Sequence, residues 1–185
     1  MTGSDPRPRE AARDAGRPLG QPPAAERLPE PRLEYAFEIR AGIAPDLRIG
    51  RGADEVLTFT PITGGSVAGP LLSGEVLAGG GDWAVERSGT AQLEARYLVR
   101  ADDGSVIDVL NRGYFRAEGS ALARLERGEP VPEEDPGLYF RTAPVFQTDA
   151  PAHRWLAEHQ FIGLARDGVG PDGQPQVCIR VYVVR

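Results

Sequence analysis

Leu33, Tyr35, Phe37 and Ile39 alternate with Glu34, Ala36, Glu38 and Arg40, the period of two expected of a strand with one face buried. The same texture returns along the chain and predicts strands at Val56 to Ile62, Leu71 to Leu77, Trp83 to Arg87, Ala91 to Arg100, Val106 to Phe115, Leu138 to Gln147, Gln160 to Asp167 and Gln176 to Val184. Turn residues separate them at Ser88-Gly89, Asp102-Asp103-Gly104 and Pro171-Asp172-Gly173. Two helices are predicted: Ser120 to Arg127, with Ser120 as N-cap and Gly128 as stop, and a short one over Ala152 to Glu158. Successive short antiparallel strands need either a two-sheet sandwich or closure. Seven glycines between Gly64 and Gly81 favour a closed or nearly closed all-β barrel, which turns its corners at glycines.

The central hairpin tests which side chains share a face. A three-residue loop at Asp102-Asp103-Gly104 sets Tyr97 opposite Val109, Ala95 opposite Asn111 and Val99 opposite Ile107, a largely apolar face. The other face then carries Glu94 opposite Arg112, with Arg96 and Asp108 nearby. A two-residue turn at Asp103-Gly104 mixes apolar and polar groups on both faces and is disfavoured. Two readings of the ionic face stand. It is a solvated cross-strand ladder, or it points into a cavity as polar rungs, where arginine would bind a carboxylate or enolate oxygen.

Residues 1–31 differ in kind, with prolines at positions 6, 8, 18, 22, 23, 29 and 31 among arginine, alanine and acidic residues. Such a segment is expected to be a disordered leader, with a partner-binding arm as the alternative. The remaining 32–185 form one domain. With 41% hydrophobic residues the chain of 185 has material for a core, and no apolar run is long enough for a membrane-spanning helix. A formal charge of -6 argues against nucleic acid as a partner. All 21 basic residues are arginine, which removes lysine Schiff-base chemistry. Cys178, alone of its kind, sits in a strand pattern and reads as structural. No secretory signal is visible, so the cytoplasm is expected.

The motifs Pro61-Ile-Thr-Gly-Gly65, Leu72-Ser-Gly-Glu-Val-Leu77, Gly81-Asp-Trp83, Glu94-Ala-Arg-Tyr97, Asn111-Arg-Gly113, Tyr139-Phe-Arg-Thr142 and Trp155-Leu156 occur in one order across the domain. Together they resemble the DUF3237 family, also called UPF0311, over about Pro31 to Arg185. The resemblance implies a compact antiparallel barrel, calycin-like or allene-oxide-cyclase-like, and a homodimer. It implies no activity and carries no catalytic residues. Asp108 stands where the family tends to have an aromatic residue, and Glu94 where it tends to have aspartate.

Candidate chemistry is sparse. His153 and His159 are six apart with no second cysteine, so neither a metal set nor a histidine-dependent nucleophile is expected, and no cofactor is implied. Gly79 to Trp83 lacks the lysine and helix of a phosphate loop. Its structural reading is a bend with Trp83 as a core plug; its functional reading sets Asp82 at the barrel mouth and Trp83 against a flat ligand. Arg141 reads as a pocket, interface or surface cation, and Tyr97 as core. The expected function is a small-molecule-binding barrel, as a cofactor-independent isomerase, cyclase or lyase acting on a small apolar or aromatic carbonyl compound. Glu94 or Asp82 would accept the proton, with Arg96, Arg112 and Asn111 stabilising an oxyanion. The alternatives are a carrier or sensor barrel and a structural interaction domain.

Overall fold

The computed structural model describes residues 29–185 apart from 53 and 133. The expected leader lies almost entirely outside the described residues. Ten strands make up the domain: β1 (Leu33–Ile43), β2 (Leu47–Arg51), β3 (Glu55–Ala68), β4 (Gly74–Val76), β5 (Gly81–Arg87), β6 (Thr90–Ala101), β7 (Val106–Ala117), β8 (Leu138–Gln147), β9 (Phe161–Val169) and β10 (Pro175–Val184). One helix, α1 (Gly119–Glu126), and a 3-10 helix over Pro151–Ala157 complete it.

The sheet closes as an eight-strand antiparallel barrel with two extra strands. β1, β10, β9, β8, β7 and β6 are neighbours in turn, and β3 pairs with β1 to close the circle. β4 and β5 share the slot between β3 and β6: β4 lies against Gly65 to Val67 and β5 against Glu55 to Pro61. β2 extends the wall along Val56 to Phe59, beyond the reach of β1. It was not anticipated, because Leu47-Arg-Ile-Gly-Arg51 is short and leaves Leu47 and Ile49 exposed.

Four local expectations are corrected. The N-cap of α1 is Glu118, without a side-chain cap bond, while the Ser120 hydroxyl turns to Asp135 at 3.0 Å. The second helix is a 3-10 turn that starts at Pro151, where proline's fixed φ suits a first position. The strand expected over Leu71 to Leu77 shrinks to three residues. In β1 the alternation from Leu33 to Ile39 does not mark one face. A bulge leaves Ala36 as the extra residue, so Tyr35 is exposed while Phe37 and Ile39 are fully buried.

Every long strand crosses the barrel from one end to the other, and the two ends are filled differently. At the end carrying the 3-10 helix, Phe146 packs edge-on against Phe37 and Phe161, with ring centroids 5.7 and 5.0 Å apart. Leu156, Val99, Ile107 and Val181 fill the gaps. His153 on the 3-10 helix meets Asp103 in the β6–β7 turn at 3.0 Å and ties that end down. At the opposite end, where α1 and the β5–β6 turn lie, the interior positions are small, and a hollow remains.

Candidate functional site

The hollow has a volume of about 470 Å³. Its space comes from alanine: Ala41 on β1, Ala84 on β5, Ala91 and Ala95 on β6 all face it. Leu93, Phe115, Phe140, Val177 and Ile179 give it apolar walls, with Phe115 and Phe140 in edge contact at 5.4 Å. A cavity of this size with apolar walls and a few polar groups has the usual constitution of a small-molecule site.

Four buried side-chain atoms among the described residues have no hydrogen-bond partner: Asp82 Oδ1, Tyr97 OH, Asn111 Oδ1 and Thr142 Oγ1. All four residues line this hollow. Native interiors pair nearly all such atoms, because each one left alone costs about 1–3 kcal/mol. Four such atoms therefore stand out, and their residues border one space. They come from neighbouring strands β5, β6, β7 and β8, where alternate residues face inward. Asn111 lies directly opposite Ala95 and Thr142 opposite Gly113.

Burial pushes the Asp82 carboxyl up to about 6, reinforced by the charge of Glu94 and partly offset by a hydrogen bond from the Glu94 backbone N–H. Burial likewise raises the Tyr97 hydroxyl, which stays protonated. The Asn111 side chain is near enough to moderate that rise, but the two groups do not close a hydrogen bond of normal geometry. Asp167 on β9 lines the rim. The residue is exposed, yet its carboxyl is crowded enough by protein atoms for burial to raise its pKa. Asp46, in the loop after β1, is exposed at the same rim. No arginine or histidine is among the lining residues.

The residues singled out in the sequence are divided by the barrel wall. Asp82 and Asn111 face the hollow. The hairpin register is the one expected, with Glu94 opposite Arg112 and Tyr97 opposite Val109, but the inward reading of the ionic face is corrected. Side chains of Glu94, Arg96 and Arg112 are 54%, 68% and 63% exposed on the outer surface, where Arg112 meets Glu94 at 2.7 Å and Arg96 meets Asp108 at 2.9 Å. Hydration of the charges and burial of Tyr97, Val99 and Val109 both favour this orientation. Asn111 and Arg112 therefore cannot serve one oxyanion, since successive strand residues point to opposite faces. Glu94 is likewise removed from the proton-acceptor role. Trp83 is outside too, tilted against Phe59 with centroids 4.6 Å apart, so it neither plugs the core nor covers a ligand in the hollow. Arg141 lies on the outer face, over the Tyr139 ring at 5.5 Å. Tyr97, Thr142 and Asp167 were missed as site residues. Tyr97 and Thr142 sit in otherwise apolar faces, where a hydroxyl without a partner was the available signal.

The family model for DUF3237, a protein family of unknown function, matches residues 31–184. The chain belongs to the DUF3237 family. A UPF0311 protein of Rhodopseudomonas palustris is 42% identical over 139 residues, covering 73% of this chain and 89% of that one. The crystal structure of a beta-barrel like protein from Acinetobacter baumannii superposes with a TM-score of 0.72 at 30% identity, over 86% of this chain and 99% of that one. A hydroalkoxylation enzyme of Penicillium herquei is more distant, 29% identical over 77 residues, which is 42% of this chain and 52% of that enzyme. The crystal structure of an enzyme from Penicillium herquei shares the fold, with a TM-score of 0.58 at 21% identity over 88% of this chain and 99% of that one. Within DUF3237, then, this chain is a closed barrel with one hollow end. No helix among the described residues is long and apolar enough to cross a membrane.

Proposed function

We propose that this DUF3237 protein binds a small, largely apolar molecule in the hollow end and moves a proton on it through Asp82. The observation that carries the reading is the convergence of four unpaired buried polar atoms on one apolar cavity. A carboxyl with a pKa of about 6 is divided between acid and base near neutral pH, which suits a group that takes a proton and returns it. The Tyr97 and Thr142 hydroxyls donate to the ligand's oxygen and hold it beside that carboxyl.

Likeness to a hydroalkoxylation enzyme supports this chemistry. Adding a hydroxyl across a carbon–carbon double bond breaks the O–H bond and the π bond and forms one C–O and one C–H bond. The base takes the hydroxyl proton, the oxygen attacks one alkene carbon, and the same proton is delivered to the other. Nothing is oxidised or reduced overall. Among the described residues, Asp82 is the one with an unpaired, buried carboxyl oxygen.

The test is conversion of 2-allylphenol to its cyclic ether by the full chain, followed by chromatography, with deuterium uptake from heavy water as a second readout. Turnover should fall at least about 100-fold in Asp82→Asn. Equal turnover by Asp82→Asn would remove Asp82 from the chemistry. Binding without turnover in the wild type would make the barrel a carrier.

A further inference from the structure

We propose that the hollow selects neutral, hydroxyl-bearing aromatic or alkenyl molecules and rejects carboxylates and phosphates of the same shape. The inference rests on the reading above that this end takes a ligand, and adds which class it takes.

Charge around the hollow has one sign. Asp82 contributes from β5, Asp167 from β9 and Asp46 from the loop after β1, all lining it, and no basic side chain joins them. The remaining wall strands bring groups without charge at neutral pH: Thr60 and Ile62 from β3, Tyr97 from β6, Asn111 from β7, Thr142 from β8, Val177 and Ile179 from β10. Arg96 and Arg112, each next to a lining residue in sequence, are turned outward and engaged, Arg96 with Asp108 and Arg112 with Glu94. Glu94, on the far side of the wall, adds negative potential at Asp82. An anion entering this apolar space would lose its hydration and meet no compensating charge, while a neutral molecule pays neither cost.

Hydrogen-bonding capacity narrows the class further. The ionised Asp82 oxygen accepts and cannot donate, so it asks a hydrogen from the ligand. Tyr97 and Thr142 hydroxyls donate or accept as required. A ligand hydroxyl donating to Asp82 and accepting from Tyr97 or Thr142 satisfies two or three of the unpaired atoms at once. A hydrocarbon satisfies none. The inward reading of the ionic face implies the opposite preference, an arginine-bound carboxylate or enolate, because it puts the guanidiniums inside.

Isothermal calorimetry on the full chain at pH 7.5 with 2-naphthol, naphthalene and 2-naphthoate decides the matter. The naphthol should bind at least about tenfold more tightly than either of the others. Asp82→Asn, checked for an unchanged circular dichroism spectrum, should narrow the gap between naphthol and naphthoate, and Asp167→Asn should narrow it less. Ala95→Leu, which places a side chain in the hollow, should abolish naphthol binding. Naphthoate binding as tightly as naphthol would overturn the selectivity and leave the binding reading standing. Failure of all three probes, or binding that survives Ala95→Leu, would bring down both.

Discussion

The two ends of this barrel are made by the same eight strand positions and do opposite things. On β1, Phe37 and Ile39 close one end while Ala41 opens the other. On β8, Phe146 packs one end while Thr142 leaves an oxygen unpaired toward the other. One end gains from contact between rings and branched side chains; the other forgoes contact, keeping a void and four unsatisfied atoms that the packed end must offset. A closed barrel tolerates this division because its backbone bonds run unbroken around both ends.

The largest expected effect tests the packed end. Phe146→Ala removes a fully buried ring that touches Phe37 and Phe161 and should cost about 3–5 kcal/mol in chemical denaturation. Ala95→Leu at the hollow end should change stability by less than about 1 kcal/mol, since it enters space that already exists. Equal losses from the two would erase the distinction between the ends.

Asp82 sharpens it through pH. Its folded pKa of about 6 lies above the ordinary 3.8, so between these values the native state holds a proton the unfolded chain has released. Stability from this group therefore falls as pH rises from about 4 to about 6 and is level above, a total of at most about 3 kcal/mol. Asp82→Asn should flatten that slope and melt higher than the wild type at pH 8, while losing turnover. A steeper slope in the variant would contradict the assignment.

Smaller effects belong to the outer face. Arg112→Ala breaks an exposed pair with Glu94 and should move the melting temperature by less than about 3 °C, because solvent screens such pairs. Smallest of all, Glu94→Gln should lower the pKa of Asp82, read by carboxyl NMR titration, since the Glu94 charge is one of its two raising causes. No change, or a rise, would mean the wall insulates the cavity from its exterior.

Barrel closure, most strands and the β6–β7 register were legible in the sequence, because alternation and the Asp102-Asp103-Gly104 turn are local signals. Gly104 takes φ of +88°, as that turn requires. Which face looks inward was harder. Both faces of the hairpin carry polar groups, and chemistry was sought in the ionic one, whereas the apolar face that must be buried bears Tyr97 and Asn111. Two irregularities also escaped the pattern: the bulge at Ala36 and the shift between Ile62 and Gly64, which changes β3 from even to odd inward positions. Asp82 was found because it follows the glycines. Asp167 carried no comparable cue.

The ion pairs outside the β6–β7 hairpin add little to the native state, but they make one mistake expensive. If β7 slid by a single residue against β6, Val109 and Asn111 would turn to water and Asp108 and Arg112 would enter the barrel. Arg112 would lose Glu94 and its hydration together, at a cost of several kcal/mol. The ladder thus guards the register: charges idle in the finished molecule keep Val109 and Asn111 turned inward.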